Sequence, residues 1–61
     1  MIIYLDKKSF YEITYLNLSG YLSVREIKIK LIDKKYIVAF DTVSNGLRTF
    51  KKSGIRSIKL L

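Results

Sequence analysis

Five tyrosines and three phenylalanines are interleaved with twelve lysines and arginines in a chain of 61 residues. That combination suits a single nucleic-acid strand, because bases stack on rings while cations hold phosphates. Each aromatic also has a plain structural reading as core. Phe40 and Phe50 are expected to be core residues. Tyr11, Tyr15, Tyr21 and Tyr36 are the more open ones, since a tyrosine brings a hydroxyl that needs a partner or water.

Other chemistry is poorly provided for. The chain has no histidine and no cysteine, so the commonest general base, the thiol nucleophile, disulfides and the usual zinc ligand sets are missing. Its five carboxylates, Asp6, Glu12, Glu26, Asp33 and Asp41, are scattered, with a lysine beside Asp6 and Asp33 and Arg25 beside Glu26. Glu12 and Asp41 could face each other across two strands, although each is better explained as a partner for a cation. No carboxylates have the spacing of a calcium loop, and three isolated glycines make no phosphate loop. The expectation is a non-enzymatic protein without metal or cofactor.

The net charge of +7 is dense on so small a body. It favours polyanions as partners: nucleic acid, nucleotide phosphates or an acidic protein. It also keeps a β-rich surface soluble and its edges unpaired. No apolar run approaches the ~20 residues of a spanning helix, and Met1 to Leu5 is too short for a signal-peptide core. A cytoplasmic protein with no membrane partner is therefore expected.

The elements that would position these side chains read as strands within one domain, residues 1–61. Tyr36 to Val43 is rich in β-branched and aromatic residues and apolar on both faces, as in a strand with neighbours on each side. Asn45-Gly46 signals a tight type I′ hairpin turn, with Leu47 to Phe50 returning. Phe10 to Leu18 is a strand with Tyr11, Ile13 and Tyr15 on one face. Gly20 is the expected positive-φ residue of the turn that follows. Tyr21 to Ile32 is a long strand whose apolar parity changes from Leu22 and Val24 to Ile27, Ile29 and Leu31, so a bulge is expected near Arg25-Glu26. Beyond that bend Glu26, Lys28 and Lys30 face outward. Asp33 to Lys35 is a polar connection, and Lys51 to Gly54 is another break. Ile55 to Leu61 is a last strand, with Ile58, Leu60 and Arg56 in phase. Met1 to Asp6 is either a first strand or a helix remnant. Five or six strands at about ten-residue spacing point to an all-β fold, a small, strongly bent SH3/Sm-like barrel.

The order Ile13-x-Tyr15, Ser19-Gly20, Ser23-x-Arg25-x-Ile27, Tyr36-Ile37-x-Ala39, Arg48-Thr49-Phe50 and then Ile55 resembles a WYL domain. The name-giving Trp-Tyr-Leu run would correspond to Lys35-Tyr36-Ile37, and Gly54 stands where the family tends to carry a second arginine. The resemblance implies an Sm-like, SH3-type β-barrel. Such domains usually accompany a winged-helix DNA-binding domain in bacterial regulators and sense nucleotides or single-stranded nucleic acid. It implies Tyr15, Ser23, Arg25 and Arg48 as ligand contacts.

Two functional expectations follow. The first is a binding module for nucleic acid or a nucleotide. Arg25 and Arg48 would grip phosphate with planar forks that lysine cannot copy. Tyr36 and Tyr15 would lie on the same face, and Lys28, Lys30, Lys51 and Lys52 would add sequence-independent attraction. The second is a protein-interaction module or homo-oligomer of the same fold, such as a small phage-type regulator of a host protein. It rests on the apolar termini Met1 to Leu5 and Leu60-Leu61 and on exposed strand edges. One conflict stands between them. Arg48 and Phe50 share a strand face by parity, so a core Phe50 would aim Arg48 inward.

Overall fold

The computed structural model describes residues 5–61; the expectation of a strand or helix remnant at Met1 to Asp6 falls largely on residues 1–4, outside them. Five strands form one antiparallel sheet: β1 Phe10–Leu16, β2 Leu22–Ile32, β3 Tyr36–Asp41, β4 Gly46–Lys51 and β5 Ile55–Leu60. A single 3-10 turn, Lys52–Gly54, joins β4 to β5. The strand order is β4-β3-β2-β1-β5, so consecutive strands pair as a meander and β5 returns to flank β1. β3 lies between two neighbours, as its two apolar faces suggested.

One face of this sheet is the core. Tyr11 and Ile13, Ile27 and Ile29, Ile37 and Ala39, and Phe50 are all buried, with Tyr15, Ile55 and Ile58 packed against them. No second layer of sheet or helix exists among the described residues to cover that face. The sheet therefore curls over its own inner side, which two irregularities in the ladders allow. The β2–β3 register shifts between Ile29 and Leu31, at Lys30. The β1–β5 register shifts between Thr14 and Tyr15, opposite Arg56. The ladders do not pair β4 with β5, so these two strands are the ends of the sheet.

Several sequence expectations shift. The bulge of β2 lies at Lys30, five residues beyond Arg25. From Leu22 to Lys28 the β1–β2 register is unbroken. The parity change was therefore false: Leu22 and Val24 sit on the outer face, more than 60% exposed, while Ser23 and Arg25 continue the inner face of Ile27 and Ile29. Arg56 is the residue skipped in the β1–β5 ladder, so it leaves the phase of Ile58. Phe40 lies half-buried on the outer face, paired with Leu47, not in the core. Tyr11 is fully core; its hydroxyl is met by the Asp6 backbone N–H at 2.9 Å.

The β3–β4 hairpin forms, but not with a type I′ turn. Thr42 to Asn45 make a four-residue loop closed by Asn45 N–H donating to the Asp41 carbonyl at 2.8 Å. Asn45 alone takes positive φ, 59°, whereas Gly46 does not and begins β4. The Asp41 carboxylate explains the choice. Its Oδ1 accepts the backbone N–H groups of Val43 and Ser44 at 3.0 and 3.2 Å, the geometry by which an aspartate starts its own turn. The Gly20 turn is as expected, with φ 86°. Asn17 Oδ1 stabilises it by accepting the N–H groups of Ser19 and Tyr21.

Candidate functional site

Alternation along three neighbouring strands brings three charged side chains to the inner face. Arg25 precedes Ile27 and Ile29 on β2. Asp41 follows Ile37 and Ala39 on β3. Arg48 precedes Phe50 on β4, whose ladder with β3 has no register shift. Phe50 is core, so Arg48 does point inward, and no bulge turns it away. The conflict is resolved by Asp41, a fully buried carboxylate. Arg25 Nη1 donates to its Oδ2 at 2.7 Å, and Arg48 Nε donates to the same oxygen at 3.1 Å.

Four hydrogen bonds thus converge on one carboxylate: two from guanidinium groups and two from the loop backbone. Burial pushes the Asp41 pKa up. The hydrogen bond from Arg25, those from the Ser44 and Val43 backbone and the charge of Arg25 outweigh burial and bring it down to about 2. Asp41 is a permanent anion at neutral pH. It also caps the loop, so the hairpin and the charge cluster are one construction.

One carboxylate does not balance two guanidinium groups, and a positive charge is left over. The arginine side chains are 32% and 44% exposed, so this surplus reaches solvent. Each guanidinium has five N–H donors, and Asp41 takes one from each. Both arginines line a groove of about 290 Å³, together with Tyr15, Asn17, Ser23, Leu47, Thr49 and Phe50.

Tyr15 forms the wall of this groove. Its ring meets Phe50 edge-on, with centroids 5.0 Å apart and planes at 79°. Its hydroxyl oxygen accepts the Lys51 backbone N–H at 3.1 Å, which leaves the hydroxyl hydrogen free to donate. Ser23 Oγ makes only a long contact of 3.5 Å to the Tyr15 carbonyl. Gly54 packs beneath the ring: a Cβ there would lie 2.6 Å from the Leu16 carbonyl oxygen and 2.8 Å from Tyr15 Cε1. No side chain fits at that position, an arginine least of all.

The structure therefore gathers Tyr15, Ser23, Arg25 and Arg48 in one groove. Tyr36, Lys51 and Lys52 line a separate depression of about 390 Å³ with Lys34, Lys35 and Ser53. Lys28 and Lys30 join neither. Lys28 lies on the outer face with its Nζ 5.5 Å from the centre of the Phe10 ring, and Lys30 is exposed at the bulge. Glu12 stands opposite Glu26 on the outer face and does not meet Asp41. Asp41 itself, Asn17, and the turn lysines Lys34 and Lys35 were not among the expected site residues. Parity could have found Asp41, because Ile37, Ala39 and Asp41 share a strand face. No family model, curated protein or solved structure matches this chain.

Proposed function

We propose that this chain is a non-enzymatic binding module for a nucleotide or single-stranded nucleic acid, held at phosphate by Arg25 and Arg48. One observation carries the reading: two guanidinium groups share one buried carboxylate oxygen, and both arginines line an open groove. A purely structural ion pair needs only one arginine. A second, preorganised by the same aspartate, makes a rigid fork of the kind that phosphate geometry matches. Asp41 holds both groups in place at little entropic loss on binding. The resemblance to WYL domains supports the same reading, because Tyr15, Ser23, Arg25 and Arg48, which it singles out, line this groove. A regulatory role would follow from such a sensor.

The test is a fluorescence-anisotropy titration with labelled single-stranded DNA and RNA at 20 and 200 mM salt. Two neutralised phosphates, one at each arginine, give a log-log salt slope of about −1.4. Paired Arg25→Lys and Arg48→Lys substitutions keep the charge and the attraction to Asp41 but remove the forks. Affinity should fall about tenfold for each substitution, the worth of one charge-assisted hydrogen bond of about 1.5 kcal/mol, with the salt slope unchanged. Absence of binding at 20 mM salt overturns the proposal. Charge reversal at both arginines is a poor test, because it would crowd three carboxylates into one buried site.

A second reading, a protein-interaction or self-associating module, is favoured by a different observation. Leu22 and Val24 are exposed side by side on the outer face, 62% and 61%, and β4 and β5 each end the sheet. Sedimentation would show a concentration-dependent dimer or larger species; a strict monomer at high concentration excludes self-association. The apolar Met1 to Leu5 segment that also motivated this reading lies mostly outside the described residues.

A further inference from the structure

We propose that the Arg25–Arg48 groove is one end of a longer track that takes a nucleic-acid strand of several nucleotides rather than a single nucleotide. This inference rests on the binding reading above and adds the length and path of the ligand. Its basis is the arrangement of three depressions. The groove shares Tyr15 and Asn17 with a second depression of about 320 Å³, which also has Arg56 and Gly54 in its wall. That second depression shares Lys51 and Ser53 with the third, which holds Lys34, Lys35, Tyr36 and Lys52. The 3-10 turn Lys52–Gly54 is the corner between them.

Charge and chemistry are consistent along the path. Every depression has at least one arginine or lysine in its wall, and no carboxylate lines any of the three. Among the described residues the only ion pairs are those of Arg25 and Arg48 with Asp41, so no carboxylate is paired with the track lysines. An aromatic ring stands in each depression: Tyr15 in the first two and Tyr36 in the third. Cations that follow a backbone, with rings at intervals for bases, are the parts a single-strand groove uses. The span decides against a lone phosphate. Arg48 and Lys51 are three residues apart on β4, about 10 Å at ~3.3 Å per residue, and face opposite ways by parity, so one phosphate group does not touch both and the track turns over the end of the strand. The lysine pair at the far end adds two phosphate contacts and steepens the salt slope from about −1.4 to about −3.

The experiment compares labelled dT2 and dT8 at 50 mM salt, with rU8 in parallel and an octaglutamate peptide as a non-nucleotide polyanion. The variants are the wild type and Lys34→Ala/Lys35→Ala, which changes only exposed side chains of the β2–β3 turn. Circular dichroism checks that the variant is folded. An octamer offers a dinucleotide site seven registers, so about sevenfold tighter binding means nothing. The track predicts about 50-fold tighter binding of dT8 than of dT2 by the wild type. In the variant this ratio falls toward sevenfold while dT2 affinity stays within about threefold. A wild-type ratio near sevenfold, or a ratio that the variant leaves unchanged, overturns the track but leaves the anion groove standing. Failure of both dT2 and dT8 to bind overturns the groove and the track together. Octaglutamate binding as tight as dT8 overturns a nucleic-acid strand in favour of an acidic peptide.

Discussion

Replacing Asp41 with asparagine keeps the side chain's shape and one carbonyl oxygen but removes the charge that two arginines share. Ionised Asp41 has a pKa of about 2 against an ordinary 3.8. At about 1.4 kcal/mol per pH unit, that difference corresponds to about 2 kcal/mol of stability at neutral pH. The exposed ends of Arg25 and Arg48 are screened by water, so about 1–2 kcal/mol is expected in practice. A domain of this size has only about 3–9 kcal/mol to lose. With about 4–8 °C per kcal/mol for a small domain, Asp41→Asn should melt about 5–15 °C below the wild type at pH 7, by far-ultraviolet circular dichroism. The pH dependence has a definite sign. Because the folded-state pKa is the lower one, the stabilisation is fully present above about pH 4 and is lost as pH falls through about 2. Asparagine mimics the protonated acid, so the gap between the two proteins should shrink to well under half by pH 2. Other carboxylates, Asp6 among them, titrate in both proteins and cancel from the difference. A variant that melts within 2 °C of the wild type at pH 7, or a gap that persists undiminished at pH 2, would refute the view of Asp41 as the charged hub.

Further outcomes test other parts of the structure. Gly54→Ala puts a methyl group 2.6 Å from the backbone oxygen of Leu16 and against the Tyr15 ring, so it should destabilise by about 1–3 kcal/mol in a thermal melt. Gly46→Ala meets nothing within 4 Å at an ordinary φ, so it should be neutral or stabilise by about 0.4–1 kcal/mol; a type I′ turn would have made it costly. Asn45→Ala should cost about 1 kcal/mol at its φ of 59°, and Asn45→Gly should not. Ile13→Ala, at a site with no solvent exposure, should cost about 2–5 kcal/mol and leave the protein largely unfolded at 37 °C by the same measurement.

The strands were legible because their signals are local. β-branched runs, turn residues at regular spacing and period-2 alternation placed all five within two residues or so of their observed bounds. The face of each strand was legible only where apolar residues occupied it. On β2, Leu22 and Val24 looked like core and Arg25 like surface. Leu22 and Val24 are exposed and Arg25 is half-buried on the inner face, because Asp41 on the neighbouring strand receives the guanidinium, and no local pattern reports a partner sixteen residues away. The turn after β3 was misread for a related reason. Asn45-Gly46 carries a strong local preference, but the Asp41 carboxylate captures Val43 and Ser44 and fixes a four-residue loop instead. The arginines of the groove were picked out by resemblance, and the aspartate that organises them was passed over as one scattered carboxylate among five. Parity on β2, β3 and β4 together would have shown three charges on one core face, a combination that is stable only when paired.

The most direct measurement of the central claim is a ¹H–¹⁵N titration of the arginine Nε–H resonances with dT2. If Arg25 and Arg48 hold phosphate, two of the three arginine signals should shift in a saturable manner and together, and they should do so in the presence of the Asp41 pairing. If those two signals stay fixed while dT2 binds elsewhere, or if dT2 moves nothing at 20 mM salt, the groove around Asp41 is a structural ion cluster and not a phosphate site.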